Sequence, residues 1–316
     1  MSKKNLNHRI GYIIEGKNSK FNLNQERMPR HDEASSINLA TPYKIKRILR
    51  DYWEMLSYNI FVSSEFVNPK DAFKYFLKIN NIKNIEKKDG KYVITKEIYE
   101  KLIEFFIDIR YFGGVFKSFA HKNSFKNSLK GCVQFSSGRT INKTVIYNDS
   151  KNRRKEDWKT KYELFQYNGS FSSSQTNKSY ILRKDGDDSR LITEKDINNF
   201  FNDMNQALKN YSDSCKWVNP TGSIKNIFFI DIIIYKETGF PSFMNSLDIE
   251  YLVDSYEDVE STSDFYILLD NLKKVLLAYK ECIVDIKVTH NGTLKFKLDD
   301  NEITIEAFIE NILNAT

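Results

Sequence analysis

The sequence predicts an α+β fold: a ferredoxin-like or RRM sheet carrying large insertions. Three observations point there. Ile227–Tyr235, IFFIDIIIY, is a continuous apolar run of the kind a central strand shows. Two stretches with helical apolar spacing, one beginning at Thr41 and one at Thr193, alternate with strand-like segments. The resulting order, strand, helix, strand pair, helix, strand, is that of a βαββαβ unit.

Taken in order, His8–Glu15 reads as the first strand and 17–26 as polar loop. Gly11 to Lys17 nearly spells a phosphate-binding loop, but Asn18 replaces the Ser or Thr and no helix follows, so that motif is excluded. Thr41 is placed to cap a helix with Pro42 in its first turn. Ile45, Ile48, Leu49, Tyr52, Trp53 and Leu56 share one side of it, and Lys44, Lys46, Arg47 and Arg50 the other. No acid occupies the first turn, where the macrodipole favours one. The basic side is therefore either a solvated back or a phosphate site. Residues 59–95 read as an insertion with a helical run at 71–79 and a hairpin turning at Asp89-Gly90. Lys96–Ile109 reads as one helix running into Arg110 and the pair Gly113-Gly114.

Two strand-like pieces flank Ser136-Ser137-Gly138-Arg139 within 130–147. Residues 148–188 mix Lys, Arg, Ser and Asn with scattered rings and read as a long mobile loop or extended hairpin. Cations interleaved with aromatics suit single-stranded nucleic acid, and equally a plain surface loop. Thr193-Glu194-Lys195-Asp196 resembles a capping box opening a helix. In Ile227–Tyr235 one face is wholly apolar and the other carries Asp231, which predicts a sheet with one drier and one wetter side. Asp264–Lys280 reads as a helix, Asn291-Gly292 as a hairpin turn, and 304–313 as a closing helix.

Charge is segregated. Residues 1–53 hold 11 Lys/Arg against 5 Asp/Glu, and residues 110–161 hold 13 against 3. Residues 237–316 reverse this, with 6 against 16. Two basic segments imply a polyanion partner, and the acidic region implies self-contact or a separate partner face. Three scattered cysteines give neither a disulfide framework nor a zinc site. With no long apolar run, the expectation is a cytoplasmic protein without membrane contact. No nucleophile or metalloprotease motif accompanies the four histidines, and no cofactor is expected.

Four segments together resemble the repeated backbone subunit of class 1 CRISPR effector complexes, closest to the type I (Cascade) form of subtype I-B or I-C. They are Pro29-Arg30-His31-Asp32, similar to the family's proline-arginine-x-aspartate; Tyr43–Trp53, YKIKRILRDYW; Asp108–Phe116, DIRYFGGVF; and Gly131–Arg139, GCVQFSSGR. The family's asparagine-proline-asparagine-glycine-aspartate loop is absent, and Glu15–Lys20 stands in its place. The resemblance implies a modified RRM palm (1–58, 96–147, 189–236), a finger-like insertion (59–95), a thumb (148–188) and an acidic extension packed on the palm (237–316). It implies a non-catalytic subunit that polymerises along crRNA and leaves the bases open to target DNA. The implied partners are crRNA, target DNA, further copies of the chain and other Cascade subunits. For sequence-independent phosphate contact it points to Arg30, Lys44, Lys46, Arg47, Arg50, Arg110 and Arg139. Gly113, Gly114, Ser136, Ser137 and Gly138 are expected to bring backbone N–H groups to the strand. Asp32 occupies the position from which related type III subunits cut RNA, so a type III-like nuclease is one alternative. A general RNA-binding protein outside CRISPR, or a scaffold assembling without RNA, are others.

Overall fold

The computed structural model describes residues 6–117, 119–121, 128–148, 158–172, 194–210, 223–235, 252–257 and 259–314. In chain order the elements are β1 (Leu6–Ser19), β2 (His31–Asp32), β3 (Ile37–Ala40), α1 (Pro42–Met55), α2 (Pro69–Ile79), β4 (Lys87–Lys88), β5 (Lys91–Ile94), α3 (Lys96–Phe105) and α4 (Ile107–Phe112). There follow β6 (Gly113–Val115), β7 (Ala120–His121), β8 (Ser128–Lys130), β9 (Val133–Phe135), β10 (Gly138–Thr140), β11 (Ile146–Asn148), β12 (Trp158–Ser172), α5 (Glu194–Asn210) and β13 (Ser223–Tyr235). The chain ends with β14 (Leu252–Val253), β15 (Ile267–Leu268), α6 (Asp270–Ala278), β16 (Ile283–His290), β17 (Phe296–Leu298), β18 (Asn301–Ile303) and α7 (Ile305–Asn314). Two units emerge, one of residues 1–45, 135–170 and 205–316 and one of residues 46–134 and 171–204.

The first unit is organised by a nine-stranded sheet in the order β16-β13-β1-β12-β10-β3-β2, with β9 and β11 also paired to β12. β1 and β13 run antiparallel, setting Ile13 opposite Phe228 and Ile10 opposite Asp231. One sheet face presents Phe228, Ile230, Ile232 and Ile234, which share a core with Leu272, Leu276, Phe296, Phe308 and Ile312. The acidic C-terminal region is thus folded onto this face through its own apolar side chains. The other face is not the wetter one expected. His8, Tyr12, Phe229 and Asp231 are all buried on it, and Asp231 is satisfied by His8 Nδ1 at 2.9 Å. Residues 7–16 of β1 and 227–234 of β13 are buried on both faces.

The second unit has a core of Phe61, Phe73, Phe76, Leu102, Phe106, Ile109, Phe116 and Phe119. Asn68 caps α2, its side chain accepting from the N–H groups of Lys70 and Asp71, and Pro69 opens the helix. β4 and β5 form the expected hairpin around Asp89 (φ 50°) and Gly90 (φ 72°).

Three expectations are corrected and one is narrowed. The helix expected over Lys96–Ile109 is two, α3 and α4, breaking at Phe106, whose φ is −104° and ψ 109°. Within the segment expected as a long mobile loop or extended hairpin, Trp158–Ser172 is a 15-residue strand antiparallel to β11, which favours the hairpin over the loop; residues 149–157 and 173–188 lie outside the described residues. The helix expected from Asp264 begins only at Asp270, because Phe265, Ile267 and Leu269 bury at alternate positions around β15. Asn291-Gly292 turns the chain but closes no hairpin: β16 pairs with β13, while β17 pairs with β15 and β18. The hairpin forms instead at Asp299-Asp300, with φ of 49° and 63°. Gly11 to Lys17 lies inside β1, consistent with the rejected phosphate loop.

Candidate nucleic-acid interface

β2, β3 and β10 place two of the predicted cations side by side. The Leu39 N–H donates to Arg30 O at 2.7 Å, and Leu39 is in register with Arg139 on β10. Leu39 and Arg139, directly opposite, share a face; Arg30, the residue before β2, adjoins Leu39 through that backbone bond, so the three form one row at this end of the sheet. All three are exposed. Arg30 is further pinned by its N–H donating to Asn22 O at 3.1 Å.

Beneath the row lies a buried polar network. Asn38 is 1% exposed. Its Nδ2 donates to Thr160 Oγ1 and to Glu163 Oε2, each at 2.8 Å. Its N–H donates to Thr140 Oγ1 at 3.0 Å, and its Oδ1 lies 2.9 Å from His31 Nδ1. The Ser19 hydroxyl also donates to Glu163. Burial pushes the Glu163 carboxyl up to about 7, against the pull of its hydrogen bonds and of Lys44. The network ties the β2–β3 hairpin to β10 and β12.

The remaining predicted residues of this unit behave differently. The Lys44 ammonium sits 5.4 Å from the Phe21 ring centroid. Phe21 packs on Phe165 and Tyr167, which alternate with Gln166, the partner of Arg139. Lys44 therefore lies on the sheet face opposite the arginine row. Ser136 is exposed, yet its N–H and hydroxyl are spent on Asn168 O at 2.8 and 3.1 Å. Ser137 is exposed. Gly138 is buried, and a Cβ there meets the Tyr167 ring at 2.6 Å. Its smallness thus leaves room for the Tyr167 ring.

In the second unit the cations are engaged internally. Arg50 Nε donates to Asp108 Oδ2 at 2.9 Å, with the Asp108 carboxylate fully buried. Arg110 makes a two-pronged contact to Asp196, at 3.2 and 3.0 Å. Arg47 pairs along its own helix with Asp51 at 2.5 Å and reaches Glu54 at 3.6 Å. Lys46 lies 5.2 Å from the Phe112 ring centroid, and burial beside Arg50 pulls it down to about 8. Gly113 closes α4 with a φ of 77°, a conformation that suits glycine. Both Gly113 and Gly114 pair with β8.

Asp32 is ionised chemistry held in a turn. Its carboxylate accepts from the Ala34 N–H at 3.2 Å and from the Ser35 hydroxyl, and these bonds hold it below the usual carboxylate range. Among the described residues no group of three or more His, Cys, Asp or Glu is placed to hold a metal ion, and no helix is long and apolar enough to cross a membrane.

The family model for CRISPR-associated protein Cas7 matches residues 7–269. The chain belongs to the Cas7 family. Every predicted contact residue of this Cas7-family chain lies inside the matched range, and α6, β16, β17, β18 and α7 lie beyond it. No curated protein matches the chain. Among solved structures, a chain described as "CRISPR RNA-guided surveillance complex, pre-nicking" has a TM-score of 0.47 at 12% identity, covering 98% of this chain and 99% of that one. A second, described as "CRISPR RNA-guided surveillance complex", has a TM-score of 0.42 at 9% identity, covering 98% and 100%.

Leu39, Asn38 and Glu163 went unmarked in the sequence. The signal was present in Ile37-Asn38-Leu39-Ala40, an alternating tetrapeptide directly after the Pro29–Asp32 motif.

Proposed function

We propose that this Cas7-family chain is a crRNA-binding, non-catalytic backbone subunit of a type I (Cascade) surveillance complex. It polymerises along the guide and presents it for pairing with target DNA, beside further copies of itself and other Cascade subunits. The observation that carries the reading is the exposed Arg30–Leu39–Arg139 row, fixed by backbone pairing. Guanidinium groups bind phosphate whatever the base, which is what a guide holder requires. The strand order β13-β1-β12-β10, with α1 and α5 in the connections, supports a ferredoxin-like or RRM palm. RNA binding is assigned to the sheet's β10–β3–β2 end, since β1 and β13 are covered on both faces. Arg50 and Arg110 are assigned to holding the fold, because each is committed to a carboxylate. The turn contacts of Asp32 support a structural role for it.

The full chain, co-expressed with a CRISPR array and purified at moderate salt, is expected to carry short RNA and to form polydisperse oligomers. Sequencing that RNA decides: repeat-derived guides support the reading, while mixed cellular RNA or none overturns it. Guide-directed cleavage of RNA by complexes with and without Asp32→Ala is expected to be equal; cleavage lost with Asp32 overturns the non-catalytic assignment.

A further inference from the structure

β3 is built inside-out. Asn38 is buried at 1% exposure while Leu39, the next residue, is 43% exposed. A one-residue slip of register would reverse this and bury the leucine. Five neighbours hold the strand against that slip: Thr140, Thr160 and Glu163 bond Asn38, His31 contacts its Oδ1, and the Thr144 hydroxyl donates to that same oxygen at 3.2 Å. A single exposed leucine on a surface needs no explanation. A leucine kept outward by a buried polar network, with exposed Arg139 in register on one side and exposed Arg30 bonded to its N–H on the other, is a different matter.

We infer that Leu39 is itself a nucleotide-contacting residue, packing on the sugar or base face of a single-stranded polynucleotide whose phosphates Arg30 and Arg139 hold. The inference rests on the guide-binding reading and deepens it by naming how the strand is seated. Neighbouring strands lie about 4.8 Å apart, so the two arginine Cα atoms stand roughly 10 Å apart with Leu39 midway. Two cations that far apart suit a polyanion rather than one small anion. Leu39 has no hydrogen-bonding atom, so its contact carries no base preference. It supplies apolar area to whichever nucleotide lies between the held phosphates. Charge and shape along the row thus address one occupant, a flexible anionic strand with apolar faces.

The test measures binding of the full chain to a fluorescently labelled oligouridylate by anisotropy, across a salt titration. Leu39→Thr keeps a residue suited to an exposed strand but removes most of the apolar surface; Leu39→Met keeps the surface. Leu39→Thr is expected to weaken binding about tenfold at fixed salt without changing the slope of log affinity against log salt. Leu39→Met is expected to stay within about twofold. The paired variant Arg30→Gln with Arg139→Gln is expected to weaken binding and to flatten the slope by about 1.4. Wild-type affinity in Leu39→Thr, with the arginine pair still sensitive, overturns the role of Leu39 and leaves the guide-binding reading standing. Insensitivity of the arginine pair overturns the row as the RNA seat, and Leu39 with it. Each variant's melting temperature is measured alongside, and equal loss in Leu39→Met and Leu39→Thr counts against apolar contact.

Discussion

Burial pushes the Glu163 carboxyl up to about 7, from 4.5 when exposed, and this makes the network under the arginine row sensitive to pH. Between those two values the folded chain keeps a proton that the unfolded chain has shed. The stability Glu163 contributes is therefore complete below about pH 4.5, declines as pH rises towards 7, and is flat above. The decline is at most about 3 kcal/mol. Glu163→Gln keeps an acceptor for Asn38, turns its NH2 to the Ser19 hydroxyl, which can accept, and has no charge to bury. Its melting temperature is expected to exceed the wild type's at pH 8 and to match it near pH 4.5. A difference that is the same at both pH values counts against a buried titrating carboxyl. Gly16 belongs to the same site: a Cβ there falls 2.9 Å from Glu163. The scarcity of space around this carboxyl is part of why its charge is costly.

Elements were legible in the sequence where one physical signal dominated. β1, α1, α2, the β4–β5 hairpin, α5 and β13 carry clean periodicity, caps or Asp-Gly turns, and they form. β12 was hidden because its buried positions mix polar and apolar side chains. Lys159, Thr160, Glu163, Gln166 and Asn168 are buried alongside Tyr162, Leu164, Phe165, Tyr167 and Phe171, so no apolar alternation marks the strand. β15 was hidden because alternation over Phe265, Ile267 and Leu269 is too short to outvote the helix that follows. The candidate site was legible as a motif, Pro29 to Asp32, and as a cationic helix face. Which cations are tied to a buried or distant carboxylate was not, because that depends on residues far off in the chain. Arg47's partner Asp51 lies four residues on and was readable; Arg50's partner Asp108 was not. Asp108 also accepts from the Phe61 N–H at 2.8 Å and the Val62 N–H at 3.2 Å, so it ties α1, α4 and the loop after α1 together. Asp108→Ala leaves Arg50 and the Phe61 amide buried without that acceptor, and removes the Val62 amide's partner as well. By chemical denaturation it is expected to cost about 3–5 kcal/mol, while RNA affinity per folded molecule stays as in the wild type. A stable variant with weakened RNA binding would instead return Arg50 to the interface.

For the molecule as a whole, the segregation of charge decides where a polyanion goes. The C-terminal region, 16 acids against 6 bases over 237–316, covers the apolar sheet face with α6 and α7. On an RRM that kind of face is where bases stack. Here it is both filled and negative, so an RNA strand meets repulsion there and attraction at the β10–β3–β2 end. Ultraviolet cross-linking of the full chain to bound RNA, read by mass spectrometry, is expected to mark peptides containing Arg30, Leu39 and Arg139. Peptides from 259–314 are expected to stay unmarked. Raising salt screens exposed charges beyond about 8 Å, so it is expected to lower total cross-linking without shifting it to the C-terminal region. Cross-links in α6 or α7 at comparable yield would mean that the acidic region is a second RNA face, and that the charge pattern has been misread.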